Sequence, residues 1–335
     1  MTALAHLKVF RGLRGVDMPQ FKLRIDYRST GLLPRDLRLE RDGRTITLVF
    51  DPLARNVFLA AIRRRLPAIL YWFQEAGPEV LWMTMTGEDG NDPTLARFTA
   101  SGRRPGQVAI PDDYWFTARG YARQRREALA SPVPWHERSD ELVWRGGYNG
   151  LGRFSLEQAD QWDQTVNQRF RAVAVLRGVA GTDVKLHELG YDEGAYVDYA
   201  RAEHYFGDPL PEPTWLGRKY ALDLDGTVNT WSNLYIRMLY GCCVLKVQSP
   251  FGWFQWYYDR LRPFEHYVPV AADLGDLREK LDWVRSHPAE AEAIAANARA
   301  FAHGYSFEDS RREAGEIIRR HWQQPTMMAA RRPAA

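Results

Sequence analysis

The sequence predicts an α/β protein built as two Rossmann-like domains facing a cleft. Three observations predict it. The chain has 335 residues, more than one ordinary core accommodates and enough for two. Strand-like and helix-like runs alternate twice along it, the order expected of strand–helix–strand units. The dense prolines of Ser131-Pro132-Val133-Pro134 punctuate the chain between the two series. Residues 1–134 are therefore expected to form an N-terminal domain and residues 135–322 a C-terminal one, with residues 323–335 a disordered tail.

In the first series, Leu37 to Asp51 carries two alternating runs around Asp42-Gly43, a hairpin signal. Leu53 to Gln74 has apolar residues at helical spacing, with Pro67 expected to kink or divide it. Its Arg63-Arg64-Arg65 run reads as a solvated face. Glu79 to Thr86 reads as a buried strand running into the polar turn Gly87 to Pro93, and Gln107 to Ile110 as a short strand before Pro111-Asp112-Asp113. In the second series, Glu141 to Trp144, Val173 to Leu176, Val184 to Leu186, Tyr220 to Leu224 and Val244 to Val247 read as strands. Ser232 to Tyr240, Leu274 to Ser286, Ala289 to His303 and Ser306 to Trp322 read as helices.

Composition excludes several classes. With 45 Lys+Arg against 42 Asp+Glu the net charge is +3, which gives no electrostatic footprint for nucleic acid. The two cysteines, Cys242 and Cys243, are adjacent and cannot staple a fold, which argues for a reducing compartment. No run of about 18 apolar residues appears, and the first 15 residues lack a signal-like apolar core. The expected location is cytoplasmic, with peripheral contact at the inner face of the membrane if the partner is lipid-borne.

Five groups of residues can carry chemistry. Arg145-Gly146-Gly147 and Gly150, Gly152, Arg153 place four glycines between two arginines eight positions apart. Such a loop lets backbone approach a ligand, and the arginines suit phosphate oxygens. Asp223-Leu224-Asp225-Gly226 ends a strand. As D-x-D it fits a metal–diphosphate site, but the apolar neighbours argue for a buried role for Asp223 and a loop-organising one for Asp225. Thr230, Trp231, Ser232 and Asn233 start a helix that Thr230 or Ser232 would cap, leaving N–H groups for a diphosphate. Arg237 lies one turn on, and Lys246 ends the next strand. Glu265, His266 and Tyr267 sit together on an extended turn between Pro263 and Pro269. Glu88, Asp89 and Asp92 cluster after the strand of the first series, where a general base would be needed.

These segments, with Lys219-Tyr220 ahead of Asp223, Leu245-Lys246, and His266-Tyr267-Val268-Pro269-Val270 before the Asp-Leu pairs of 273–277, resemble glycosyltransferase family 90. The resemblance runs from about Trp144 to Phe301. It implies a GT-B type architecture and an inverting, metal-independent transferase of hexose or pentose. The implied donor is UDP-glucose, UDP-galactose or UDP-xylose, bound by the C-terminal domain through the residues just named. The implied acceptor is a lipopolysaccharide or other surface glycan. Protein O-glycosylation and glycan binding on a degenerate transferase fold are the alternatives. Relatives carry an arginine near the start of the Ser232 helix where this chain has Leu234, which turns attention to Arg237. Alignment with Rumi-type relatives picks Asp89 as catalytic base, with Asp92 second.

Overall fold

The computed structural model describes residues 9–55, 59–90, 93–187 and 203–323. They fall into two compact units. The first takes residues 1–120, 253–256 and 306–335; the second takes residues 121–252 and 257–305. The break thus falls at Gly120–Tyr121, ahead of the Ser131–Pro134 punctuation, and the last helix belongs with the first unit.

The first unit has a six-stranded sheet of β1 (Lys22–Tyr27), β2 (Asp36–Asp42), β3 (Thr45–Phe50), β4 (Trp82–Thr86), β5 (Phe98–Thr99) and β6 (Val108–Ala109), in the order β1-β3-β2-β4-β5-β6. It is mixed: β2 runs antiparallel to both β3 and β4, as the Asp42-Gly43 hairpin requires, and the other pairings are parallel. Helix α1 (Leu59–Glu75) runs unbroken through Pro67. Short helix α2 (Asp113–Thr117) is capped by Asp112, whose Oδ1 accepts from the Trp115 N–H at 2.8 Å.

The C-terminal helix Phe307–His321 closes this unit rather than the second. Ser306 and Asp309 open it with a reciprocal capping box. Phe307 then packs on Tyr71, Trp72 and Phe116, with ring centroids 5.8, 5.7 and 6.3 Å away. Trp115 Nε1 donates to Ser310 Oγ at 2.8 Å. Gly315 passes so close to α1 that a Cβ there would stand 2.5 Å from the Glu75 carbonyl oxygen. A ring cluster of this size fixes which unit the helix joins.

The second unit has five strands: β7 (Ser139–Gly147), β8 (Thr182–His187), β9 (Arg218–Asp223), β10 (Cys243–Val247) and β11 (Val268–Val270). All pairings are parallel, in the order β8-β7-β9-β10-β11. Helix α3 (Ala122–Ala130) precedes β7. Helix α4 (Gln168–Leu176) leads to β8, and α5 (Ser232–Leu239) joins β9 to β10. Helices α6 (Leu277–Ser286) and α7 (Pro288–Gly304) follow β11. Val173 to Leu176, expected as a strand, is the end of α4, in which every residue is buried. A short apolar run buried on all sides carries no period that separates strand from helix.

This is a doubly wound order, and the chain reverses direction across the sheet at β7, with β8 on one side and β9 on the other. Loops leaving β7 and β9 therefore part company at their C-terminal ends and open a crevice there. Among the described residues no helix is long and apolar enough to cross a membrane.

Candidate functional site

The crevice between the ends of β7 and β9 is stitched by Arg169, in the first turn of α4. Its Nη1 donates to Gly147 O at 2.7 Å and to Asn149 Oδ1 at 2.6 Å; its Nε donates to Asp225 O at 2.8 Å. Burial pulls its pKa down to about 10 against the opposing pull of Asp225 and Asp223, so it remains cationic at neutral pH. Sequence reading missed Arg169. Its only local signal is an Asn cap before it, Asn167 Oδ1 accepting from the Arg169 N–H at 2.9 Å.

Next to Arg169 lies a buried polar cluster at the ends of β9 and β10. Asp223, Asp225, Asn229 and Thr230 are 2, 6, 2 and 5% exposed. Lys246 Nζ is 3.3 Å from Asp223 Oδ2 and 4.5 Å from the Tyr258 ring centroid. Among the described residues Asp223 Oδ1, Asp225 Oδ2 and Asn229 Nδ2 have no hydrogen-bond partner. Buried polar atoms are rarely left so, and several together mark a place built to receive polar groups from outside. Burial pushes the Asp225 carboxyl up to about 6 although Lys246 pulls it down. Burial pulls Lys246 down, but Tyr258, Asp223 and Asp225 together hold it above its ordinary value, so it carries its charge.

The helix start differs from expectation. Neither Thr230 nor Ser232 caps α5; the cap position is Trp231, with φ +52° and no side-chain cap bond. Its N–H is held by Asn229 Oδ1 at 2.8 Å, and Thr230 contributes its carbonyl, accepting from Asn233 N–H at 3.2 Å. A bulky residue at positive φ costs roughly 1–3 kcal/mol and persists where the surroundings force it, commonly at ligand sites.

The expected arginines lie elsewhere. Arg145 is turned into the sheet edge, with Nη2 on Asp183 at 2.7 Å and Nε on the Asp208 carbonyl at 3.0 Å. Arg153 is exposed and pairs with Asp160 at 2.9 Å and Asp163 at 2.7 Å. It latches a loop whose backbone bonds join Arg153 to Thr165 and Asn167. Gly152, at φ +105°, permits that approach, since a Cβ would stand 2.8 Å from backbone atoms of Asn167 and Thr165. Arg237 sits in the last turn of α5, its guanidinium 3.5 Å from the Trp215 ring centroid, where a cation also suits the helix dipole. Of the corner residues, Glu265 pairs with Arg262 at 3.3 Å. His266 Nδ1 accepts the Arg262 N–H at 3.1 Å. Burial raises the pKa of Tyr267, and the Lys246 charge opposes that shift.

Within the first unit, Asp89 lies in the turn after β4. It accepts from Arg65 Nη2, while Arg65 Nη1 donates to Gly87 O at 3.0 Å. Arg65 is therefore no solvated helix residue: it is 6% exposed and also lies 3.6 Å from Asp113. Arg64 reaches Asp113 at 2.7 Å. Asp112 Oδ2 accepts from Gln255 at 3.0 Å, and burial with the neighbouring Asp113 charge pushes its pKa up to about 7. Asp92 lies outside the described residues.

The family model for glycosyl transferase family 90 matches residues 123–305, and the chain belongs to that family. Protein O-glucosyltransferase 2 of Danio rerio is 35% identical over 234 residues, covering 61% of this chain and 46% of that protein. Protein O-glucosyltransferase 3 of Mus musculus is 39% identical over 84 residues, covering 25% of this chain and 16% of that one. The chain spans less than half the length of these relatives. Among solved structures, HepE of Anabaena in complex with UDP-glucose is similar at 12% identity and a TM-score of 0.36, over 59% of this chain and 52% of that one.

Proposed function

We propose that this glycosyltransferase moves a hexose or pentose from a UDP-sugar to a hydroxyl of a glycan acceptor, with inversion and without a metal. The observation that carries the reading is the buried polar cluster of Asp223, Asp225, Asn229 and Lys246 at the ends of β9 and β10, beside the β7/β9 crevice. A nucleotide diphosphate sugar offers what the cluster lacks. Its hydroxyls can donate to Asp225, and its phosphates can meet the Lys246 ammonium. The lysine already supplies the positive charge that a D-x-D motif would draw from a cation, its Nζ 3.3 Å from Asp223. Tyr267 and the Trp231 turn border the same place. Glu265 and His266 join through that corner, while Arg153 holds the loop that precedes α4.

In this reading Asp89 accepts the proton of the acceptor hydroxyl as that oxygen attacks the anomeric carbon and UDP departs. A base contributes about 10²–10⁴-fold, and stabilisation of the leaving diphosphate contributes at least as much. Lipopolysaccharide or another surface glycan, met at a cytoplasmic membrane face, is the acceptor class carried from the family resemblance. The names of the matched relatives favour a second reading, glucose transfer to a protein hydroxyl. The test is a panel of UDP-glucose, UDP-galactose, UDP-xylose and non-uridine donors. The matched donor should raise the melting temperature, because it binds only the folded chain, and should release UDP with acceptor or slowly with water. A chain that binds glycan but neither shifts with nor cleaves any nucleotide sugar would be a binding module.

A further inference from the structure

The second unit holds a cavity of about 310 Å³ at the end of its sheet away from the β7/β9 crevice. Trp135 and Arg138 lead into β7 and Gly241 leads into β10, so the cavity lies at the N-terminal edge of these parallel strands. Helix α7 supplies a further wall through Glu292, Ala295, Ala296 and Arg299, which recur at helical spacing on one face. The two alanines leave space that longer side chains would fill. Small-molecule pockets start at about this size, roughly 300–1,000 Å³.

Two arginines converge on this cavity. A Cβ on Gly241 would stand 3.3 Å from Arg138 Nη1, 3.4 Å from Arg138 Nη2 and 3.3 Å from Arg299 Cδ. Glycine, at φ +73°, is what leaves room for both. Arg138 is 8% exposed. Its Nε donates to the Val133 carbonyl at 2.9 Å, and its Nη1 to the carbonyls of Gly241 at 2.6 Å and Tyr240 at 3.1 Å. Its Nη2 has no partner among the described residues. Arg299 commits only Nη2, to the Ala128 carbonyl at 3.2 Å.

Carbonyls fix these guanidiniums in place without neutralising them. Among the described residues neither arginine has a carboxylate within ion-pair distance, although a buried arginine is ordinarily paired. Burial lowers the Arg138 pKa and the Arg299 charge adds to that shift, against Cys242 and Glu292. Glu292 is exposed and pairs with neither. Trp135, half-buried with its ring edge-on to Tyr220, gives the cavity an aromatic wall.

We propose that this cavity binds a small organic anion, its carboxylate or phosphate held between Arg138 and Arg299 and its apolar body laid against Trp135. The oxyanion brings the negative charge that the two arginines lack. It accepts from Arg138 Nη2 and from the uncommitted donors of Arg299, which suit such oxygens. The aromatic wall favours a flat ligand body. The site is separate from the donor crevice and does not depend on the UDP-sugar reading.

The test is calorimetry on the full chain with phenyl phosphate. Inorganic phosphate serves as the charge-only probe and benzyl alcohol as the ring-only one. Phenyl phosphate should bind more tightly than either. Arg299→Gln should weaken it by about 10-fold or more, through loss of a charge-assisted contact. Glu292→Gln should tighten it, because it removes nearby negative charge. Arg299→Gln also loses the Ala128 contact, so Ala296→Trp is the second variant. Position 296 is exposed on α7, and a tryptophan there fills the cavity without removing an arginine. It should abolish binding at an unchanged melting temperature. Wild type that fails to bind phenyl phosphate overturns the site, as does unchanged affinity in Ala296→Trp. Benzyl alcohol bound as tightly as phenyl phosphate overturns the role of the arginines. Inorganic phosphate bound as tightly overturns that of Trp135.

Discussion

Lys246 and Asp223 are register partners on neighbouring parallel strands, and their charged atoms meet 3.3 Å apart at the C-terminal ends of β10 and β9. The pair is therefore built into the sheet's hydrogen-bonded ladder and does not depend on a loop. It sets one positive and one negative charge beside the candidate donor site before any ligand arrives.

Lys246→Met should cost roughly 3–5 kcal/mol, because it strands the Asp223 carboxylate in a buried place. Adding Asp223→Leu should recover most of that stability, since replacing both members of a buried pair with apolar residues is often near neutral. The double variant should nevertheless fail to bind UDP normally. Urea unfolding gives the first two quantities and calorimetry the third. A fully stable double variant with wild-type UDP affinity would remove Lys246 from the site.

Asp89→Asn should leave donor affinity in place and lower kcat by about 10²-fold or more. Arg65→Lys keeps the charge but loses the fork that binds Asp89 and Gly87 together. It should lower kcat by about 10-fold or more with the donor KM unchanged, the signature of a misplaced rather than a missing group. Wild-type kcat in both variants would move the base elsewhere.

Asp112 predicts a pH dependence of folding. Its folded pKa is pushed up to about 7 from 3.8, by burial and then by Asp113. Between those values the folded chain holds a proton that the unfolded chain has lost, so raising the pH lowers stability through that window. The contribution is complete below pH 3.8 and gone above about 7. Asp112→Asn abolishes this titration. The urea midpoint of wild type should fall relative to that of the variant between pH 5 and pH 8, and parallel midpoints would contradict the assignment.

Transfer should persist in excess EDTA, because Lys246 already supplies positive charge next to Asp223. Loss of activity with rescue by Mn²⁺ would restore the metal reading of the D-x-D motif.

Local patterns carried much of this into the sequence. Alternation around Asp42-Gly43 marked β2 and β3, and the apolar run into Asp223-Leu224-Asp225 marked the strand end that forms the cluster. Residues whose meaning depends on distant partners were illegible. Arg169 sits in an apolar run and gains its role from Gly147, Asn149 and Asp225, up to 56 positions away. Arg65 reads as one of three surface arginines until the β4 turn folds against it. Thr230 and Ser232 both look like caps, and only the backbone shows that Trp231 takes the position. The edge strand β1 is half exposed along its length, so burial left little pattern in it.

The returning helix Phe307–His321 has a consequence for how the chain is made. Residues 1–120 leave the ribosome before the second unit, yet the ring that packs on Tyr71 and Trp72 belongs to Phe307. At about 5–20 residues per second, roughly 10–40 s of further synthesis separate Gly120 from that ring. The second unit, lying wholly between, can finish folding in the interval. Of the two units, the one whose synthesis begins earlier is thus the later to be completed, and until then its aromatic cluster lacks the Phe307 ring.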